Sequence, residues 1–183
     1  MGVTRERKLA IAQRSYDLLV GKYGLLPEDI IFDPLVFPVG TGDENYIGSA
    51  EETIEGLRLI KQALPCCSTI LGISNVSFGL PNAGREVLNA VFLYHCTQAG
   101  LDYAIVNAQN LHRYASIPEE ERRLAEALLF WSSDDPIGAF SGFYRGKKTT
   151  VNKPQITLPL EQRLAVYIIE GTKDGLFDDL DEA

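Results

Sequence analysis

Three short apolar runs, each followed by a helical pattern, constrain the fold of this chain more than any other feature. The runs cover residues 30–32, 69–73 and 104–106. Their repeat of about 35 to 40 residues is the length of a βα crossover that joins two parallel strands. Continuous apolar strands are typical of parallel sheets with both faces covered. The sequence therefore predicts an α/β fold with a parallel sheet, either part of a (β/α)8 barrel or a doubly wound open sheet.

Helical patterns flank the predicted strands. In residues 4–20, Leu9, Ala12 and Tyr16 recur at spacings of three and four, which places them on one helix face. Further helices are predicted at 49–64, 85–98 and 119–131. Two Ser-x-x-Glu sequences, at 49–52 and 116–119, are predicted to be capping boxes. No Gly-x-Gly-x-x-Gly sequence follows a predicted strand, which disfavours a dinucleotide-binding sheet.

The chain is short for a closed barrel. A (β/α)8 barrel needs about 250 residues, and this chain has 183. We therefore expect residues 1–131 to hold part of a barrel, as an excerpt of a longer protein or as one half of a domain-exchanged assembly. Residues 132–156 lack a clear period and are predicted to be a linker. Residues 157–183 begin a new amphipathic helix, with Leu160, Leu164, Tyr167 and Ile168 on one side.

Composition disfavours several classes of protein. The net charge of −8 would repel a phosphate backbone, so no nucleic-acid partner is expected. No apolar run is long enough to span a membrane, and the charged N-terminus is unlike a secretory signal. Three cysteines, two of them adjacent, match neither a disulfide framework nor a zinc site. We expect a cytoplasmic location, no membrane partner and no metal ligands.

A polar side chain follows each predicted strand. These side chains are Asp33, Asn75 and Asn107. The carboxyl ends of barrel strands form the functional face of such folds. A carboxylate accepts two parallel hydrogen bonds from a flat heterocycle, and an amide both donates and accepts. The alternative for Asp33 and Asn75 is a local turn, since both residue types bond to loop amides.

Three segments resemble one known family. They are Asp-Ile-Ile-Phe-Asp-Pro at 29–34, Gly-Ile-Ser-Asn-Val-Ser-Phe-Gly at 72–79 and Gly-Leu-Asp-Tyr-Ala-Ile-Val-Asn-Ala at 100–108. In order and spacing they resemble the last three to four βα units of the folate barrel of cobalamin-dependent methionine synthases. The resemblance implies a TIM-type pterin-binding barrel in residues 1–131, a linker, and the first helix of an all-α cobalamin cap in 157–183.

The resemblance also implies a function. The family moves the methyl group of 5-methyltetrahydrofolate to cobalamin and on to homocysteine, in methionine biosynthesis. It implies that Asp33 holds the pterin ring and that Asn75 meets N5 in a catalytic role, with Asn107 as a further pterin contact. Cobalamin and zinc would be bound only by domains absent from this chain, which has no Asp-x-His sequence.

The chain by itself is therefore expected to be inactive. Its expected partners are the small-molecule folate and either the rest of a methionine synthase chain or a complementing chain. The first alternative is a stand-alone pterin-binding or interaction module that needs a partner chain to complete its barrel. The second is a related pterin enzyme, such as a corrinoid methyltransferase or a relative of dihydropteroate synthase.

Overall fold

The computed structural model describes residues 2–145, 159–170 and 176–182. The chain divides into two compact units, Met1–Thr149 and Thr150–Ala183. Each unit has its own helices, and the parallel sheet belongs to the first.

The sheet contains strands β1 (Ile31–Phe32), β2 (Ser68–Gly72) and β3 (Tyr103–Ile105). Their order is β1-β2-β3, and both neighbouring pairs are parallel. Ile31 pairs with Ser68, and Gly72 pairs with Ile105. The predicted parallel α/β architecture is confirmed, with each strand close to its predicted position.

Helices precede and follow each strand, close to where the apolar periodicity predicted them. In the first unit they are α1 (Arg5–Tyr16), α2 (Ser49–Ala63), α3 (Asn82–Gln98), α4 (Glu119–Leu129) and α5 (Pro136–Tyr144). A π-helical segment, Asp17–Lys22, continues α1 beyond its α-helical part. The short 3-10 turn Ile73–Ser77 directly follows β2 and positions Asn75.

Only one face of the sheet is covered within the described first unit. Leu71 of β2 is fully buried in a core that includes Leu57 of α2 and Val91 of α3. Side chains alternate between the two faces along a strand, so Ile31, Tyr103 and Ile105 lie on the other face. They are 53%, 54% and 62% exposed. This second face, which we call the open face, is apolar and has no helix over it among the described residues.

Neither predicted capping box forms. The N-cap of α2 is Gly48, in the left-handed region at φ 72°, and the Ser49 hydroxyl is buried without a hydrogen-bond partner. The Glu52 carboxylate instead binds the guanidinium and the backbone N–H of Arg5 at the start of α1. That ion pair joins two helices, and it lowers the pKa of Glu52 through the Arg5 hydrogen bond. The prediction was wrong because a long-range cation outcompetes a local backbone amide. At α4, Pro118 is the N-cap, and Ser116 donates to the Arg113 carbonyl.

Part of the segment predicted to be a linker is a packed helix. Within residues 132–156, helix α5 begins after Asp135, whose carboxylate accepts from the Gly138 backbone N–H at 2.9 Å. Phe140 and Tyr144 are buried in the same core as Leu71. They pack so closely on Gly84 that a Cβ there would lie 2.7 Å from the Phe140 ring. These residues are therefore part of the first unit rather than an exposed connection.

The second unit holds helices α6 (Leu160–Glu170) and α7 (Leu176–Glu182). The Arg163 guanidinium of α6 pairs with Asp179 and Glu182 of α7, so ion pairs join the two helices. The predicted apolar positions Tyr167 and Ile168 lie outside the described side chains. In neither unit does a described helix have the length and apolar character needed to cross a bilayer.

Gly56 offers a test of the contact between α1 and α2. It lies within α2, where a Cβ would be 2.8 Å from Lys8 Cδ. We expect Gly56→Ala to lower the free energy of unfolding by about 1 to 3 kcal/mol, because overpacking outweighs the better helix propensity of alanine. Urea denaturation followed by circular dichroism measures the change.

Gly142→Ala is the matched control. Gly142 lies in α5, and a Cβ added there would meet no atom within 4 Å. This substitution should raise the free energy of unfolding by about 0.5 to 1 kcal/mol. Equal effects of the two substitutions would contradict the close approach of Lys8 to α2.

Candidate functional site

The three predicted site residues lie at one edge of the sheet. Asp33 directly follows β1, Asn75 lies in the turn after β2, and Asn107 follows β3 by two residues. All three side chains are exposed. Because the strands are parallel, their carboxyl ends meet at the same edge, which is where ligands bind in parallel α/β folds. We call the loops and turns that follow the three strands the carboxyl edge.

The loops after β1 and β2 contact each other directly. The Val39 N–H donates to the Val76 carbonyl at 3.0 Å. Gly40 packs on Leu80 so tightly that a Cβ at position 40 would lie 2.3 Å from Leu80 Cγ. The two loops that carry Asp33 and Asn75 therefore form one continuous surface.

Asn75 lies over the open face. A Cβ built on Gly72 would lie 3.3 Å from the Asn75 amide nitrogen. Gly72 pairs with Ile105, whose side chain is on the open face. The absence of a side chain at Gly72 thus leaves room for the Asn75 amide at the rim of that face.

Arg85 holds the turn that carries Asn75. Its Nε donates to Ser77 Oγ at 3.1 Å, and its terminal nitrogen donates to the Ser74 carbonyl at 3.4 Å. The Ser77 hydroxyl in turn donates to the same Ser74 carbonyl at 3.1 Å. Arg85 at the start of α3 therefore fixes the backbone on both sides of Asn75.

Asp33 forms the local turn that was the alternative for this residue, and its carboxylate can still accept hydrogen bonds from a ligand. Its Oδ1 accepts from the Leu35 N–H at 2.9 Å, so it forms the local turn expected of Asp before Pro. A carboxylate has about four lone-pair positions, so this bond leaves acceptor capacity for a ligand. Asp33 directly follows β1, and it also lines the cavity beside Lys8.

Asn107 is the third polar residue at the carboxyl edge. Its carbonyl accepts from the Asn110 N–H at 3.2 Å, in the turn that begins the β3–α4 loop. The amide side chain is exposed beside the exposed Ile105. The geometry therefore places it near the same rim, on the far side of Asn75 from Asp33.

Lys8 is a buried cation at the carboxyl edge that the sequence did not reveal. It lies on α1, is 3% exposed, and its ammonium donates to the Pro34 and Leu35 carbonyls at 2.7 and 3.0 Å. The Phe37 ring lies 5.1 Å from the same nitrogen. A cavity of about 80 Å³ beside it is lined by residues that include Asp33 and Leu35. Two features of the sequence could have indicated this burial. Lys8 precedes Ala12 by one helical turn, on the packed face of α1. Gly56 lies inside a helix, where a glycine can mark the close approach of another segment.

Burial lowers the pKa of Lys8 from its usual 10.5 to about 8, although the nearby carboxylates of Asp33 and Glu52 oppose that shift. The ammonium loses hydration inside the protein, and two carbonyls replace only part of it. Lys8 is therefore a cation at neutral pH that titrates just above it.

The amino ends of the strands hold a separate polar group. Asp102 accepts from the Thr69 N–H at 2.7 Å and from the Lys61 ammonium at 2.9 Å. Partial burial disfavours the ionised form of Asp102, but these hydrogen bonds outweigh it and keep its pKa below the usual value. Asp102 lies at the end of the sheet opposite Asp33. It ties β2 to β3 and is remote from the carboxyl edge.

Histidine and cysteine side chains form no candidate metal site among the described residues, which contain no group of three His, Cys, Asp or Glu placed to hold an ion. His95 lies 3.1 Å from a Glu126 oxygen, and His112 lies 3.3 Å from a Glu86 oxygen. The cysteines are free thiols. Both histidines serve contacts between helices or between a helix and a loop.

Because the pKa of Lys8 is lowered in the folded state, we expect the free energy of unfolding to depend on pH. Between about pH 8 and 10.5 the unfolded lysine keeps a proton that the folded lysine has lost. The unfolded state then binds more protons, so the free energy of unfolding contributed by Lys8 rises with pH in this window. We expect wild type to gain stability relative to Lys8→Met as pH increases from about 8 to about 9.5, measured by urea denaturation.

Lys22→Met is the control for Lys8→Met. Lys22 occupies an exposed position of the π-helical segment, so this variant should follow the wild-type pH dependence. A wild-type curve parallel to that of Lys8→Met would contradict the burial of the charge.

The sequence of this chain is similar to those of known proteins. Residues 2–107, which include β1, β2, β3 and all three predicted site residues, match the pterin-binding enzyme family. The methionine synthase of Mycobacterium tuberculosis (strain ATCC 25618 / H37Rv) is 39% identical to this chain over 188 residues. The methionine synthase of Mycobacterium leprae (strain TN) is 38% identical over the same length.

The matches cover almost all of this chain but only a small part of each relative. Each covers 98% of this chain but only 16% of the relative, so the chain spans about one sixth of the length of the curated relatives. The match to the relatives extends through residues that lie beyond the family match. Because the family match covers more than half of the 183 residues, the chain belongs to the pterin-binding enzyme family.

Proposed function

We propose that this chain is the folate-binding part of a methyltransferase that moves the methyl group of 5-methyltetrahydrofolate to cobalamin and on to homocysteine. The observation that carries the proposal is the position of the Asn75 amide, over Gly72 at the rim of the open face. The two mycobacterial relatives are named methionine synthases, which supports methionine synthesis as the reaction. The chain alone lacks most of the length of those relatives, so the reaction requires additional protein.

The open face supports a barrel of which this chain forms the last three to four βα units. In a (β/α)8 barrel the inner face of each strand packs against the inner faces of other strands. Ile31, Tyr103 and Ile105 have no such cover within the described residues and are more than half exposed. A doubly wound sheet would have helices on both faces. The missing strands would therefore cover the open face and pair with the outer edges of β1 and β3.

Asp33 is proposed to hold the pterin ring. A neutral pterin presents N3–H and the 2-amino group side by side, and a carboxylate accepts both in two parallel charge-assisted bonds. The Leu35 N–H fixes one carboxylate oxygen, which reduces the freedom that Asp33 would lose on binding. In the strand register Asp33 is level with Ile70, whereas Asn75 lies beyond the end of β2. The two side chains are therefore offset from each other along the strand direction. A flat bicyclic ring with donors at one end and N5 at the other would fit this offset.

Asn75 is proposed to meet N5 of the folate. The methyl group leaves N5 without its bonding electrons, so N5 must gain a proton as the bond breaks. An amide can accept from protonated N5 or donate to neutral N5, so it suits both stages. Arg85 keeps the Asn75 turn in place through the Ser74 carbonyl. Asn107 is proposed as a further pterin contact on the neighbouring strand end.

The other cofactors of the proposed reaction do not fit this chain. The sequence has no Asp-x-His to ligate cobalt, and the described residues hold no cluster suitable for zinc. We therefore assign cobalamin and zinc to other parts of the protein and derive no step of the reaction through them. What this chain supplies is the placement of the folate and of the proton at N5.

The division of the chain supports a second domain. We propose that residues 157–183 begin the helical cap over cobalamin, following a connection that lies within 132–156. The compact pairing of α6 with α7 through Arg163 supports a helical unit there. The relatives also match this part of the chain, because 98% of its length is aligned.

A separate partner chain that completes the barrel is the second candidate. The open face would serve that role equally well, but the continuous match to the longer relatives favours one polypeptide. We propose a cytoplasmic location for the complete protein, which free thiols at Cys66, Cys67 and Cys96 support. The net charge of −8 argues against a nucleic-acid partner.

Substitution of Asp33 tests the pterin contact. In the complete barrel we expect Asp33→Asn to weaken 5-methyltetrahydrofolate binding by about 10- to 100-fold, because an amide places a donor against the donors of the ring. Isothermal titration calorimetry measures the affinity. The chain by itself should bind no more tightly than about 1 mM, since most of the barrel is missing.

Asp102→Asn is the matched control for Asp33→Asn. It makes the same change at the opposite end of the sheet, where Asp102 binds Lys61 and Thr69. It should reduce stability and leave the folate affinity within about twofold of wild type. Unchanged affinity in Asp33→Asn would remove Asp33 from the site.

Substitution of Asn75 tests the role at N5. We expect Asn75→Ala to slow methyl transfer by about 100-fold at saturating folate, the scale of general acid–base assistance, with a smaller effect on affinity. Rapid-mixing absorbance measurements on the complete protein give the rate. Asn82→Ala, at the exposed first residue of α3, is the control and should match wild type. A loss of affinity without a change in rate would make Asn75 a binding residue only.

A further inference from the structure

The ammonium of the buried Lys8 binds the loop that carries Asp33. Lysine is seldom fully buried unless its charge is paired, yet Lys8 is only 3% exposed and donates to two backbone carbonyls rather than to a carboxylate. Both carbonyls, of Pro34 and Leu35, belong to the residues that directly follow Asp33. The buried charge therefore acts on the conformation of one short loop.

That loop has an unfavourable backbone conformation. Leu35 has φ 68°, in the left-handed region that branched or bulky side chains avoid. Such a conformation persists only where its surroundings hold it. The Leu35 carbonyl accepts from Lys8 at 3.0 Å, and the Leu35 N–H donates to Asp33. The single proton of Thr53 Oγ1 is shared between the Leu35 carbonyl at 3.3 Å and the nearer Ser49 carbonyl at 2.9 Å. Contacts from α1, from α2 and from the loop itself thus converge on one residue.

The orientation of the Asp33 carboxylate follows from Leu35. Asp33 Oδ1 is bonded to the Leu35 N–H at 2.9 Å, so a change in the Leu35 backbone would rotate or release that oxygen. Lys8 does not reach the open face, because its aliphatic chain packs on Gly56 of α2. Its effect on a ligand at the rim must therefore pass through the loop.

We propose that Lys8 is a positioning residue for pterin binding, which holds Pro34 and Leu35 in the conformation that presents the Asp33 carboxylate to the ring. The inference rests on the proposed function, because it assigns Lys8 to the same site. Lys8 acts before the ligand arrives. It lowers the cost of ordering Asp33 and makes no contact with the folate.

Lys61 provides a matched comparison within the same sheet. Its ammonium donates to the Cys67 carbonyl at 2.9 Å and to Asp102, so it also fixes a loop next to a strand. It lies at the amino ends of β2 and β3, away from the carboxyl edge. A general loss of stability would be common to Lys8→Met and Lys61→Met, whereas a loss of ligand placement would be specific to Lys8→Met.

The experiment is a double-mutant cycle in the complete barrel, where the remaining strands are present. Calorimetric titration with 5-methyltetrahydrofolate compares wild type, Lys8→Met, Asp33→Asn, the double variant and Lys61→Met, at a temperature where each is folded. We expect Lys8→Met to weaken binding about tenfold in the wild-type background and less than about twofold in the Asp33→Asn background. Lys61→Met should stay within about twofold of wild type.

Two outcomes would overturn the proposal. One is wild-type affinity in Lys8→Met. The other is an equal loss in both backgrounds, which would mean that Lys8 acts independently of Asp33. If wild type does not bind folate, or if Asp33→Asn leaves binding unchanged, the proposed function fails instead. The two failures are therefore distinguishable.

Thr53→Val keeps the proposal testable if Lys8→Met does not fold. It removes the hydroxyl whose proton is shared between the Leu35 and Ser49 carbonyls, and it preserves the shape of the side chain. We expect a loss of affinity of about threefold that also disappears in the Asp33→Asn background. Unchanged affinity in Thr53→Val would contradict the requirement for a fixed Leu35 conformation.

Discussion

The need of parallel strands for cover on both faces is the constraint on which this structure depends. Helices α1 and α2 pack together on one side, and α2 and α3 cover Leu71 on the same side. The other side leaves Ile105 62% exposed. Parallel sheets are usually covered on both faces, and no helix lies over this face among the described residues. The same face has the Asn75 amide at its rim, so the face that lacks cover among the described residues is also the face where the proposed pterin would lie.

Basic side chains on the helices that cover the sheet stabilise the carboxyl edge. Lys8 binds carbonyls in the loop after β1, and Arg85 binds the Ser74 carbonyl in the turn after β2. Both are on helices of the packed layer, so the rigid part of the fold determines the shape of the loops. A hydrogen bond between Val39 and Val76 joins the two loops. The scaffold thereby holds the loops that carry the proposed site residues, whose side chains remain exposed.

Sequence patterns predicted the regular elements well and some of their ends poorly. Apolar runs and helical spacing gave β1 to β3 and α1 to α4, because burial of one face leaves a local period. Helix α5 was missed because Gly138 and Gly142 weaken its helical propensity, and its burial depends on the distant Gly84. The capping box at Ser49 was wrong because Glu52 has a stronger partner in Arg5, far away in the chain. Both failures have the same cause, because the deciding contact is made by a residue distant in the sequence.

The sequence alone determined the parallel α/β class, the βα repeat and the three polar residues that follow the strands. Each of these depends on neighbours within a few positions. Only the tertiary structure decided which face of the sheet lacks cover among the described residues, that the Asn75 amide lies over Gly72, and that a lysine on α1 binds Leu35 beside Asp33. Those features arise from contacts between segments distant in the chain, where side-chain burial and hydrogen bonding outweigh local propensity.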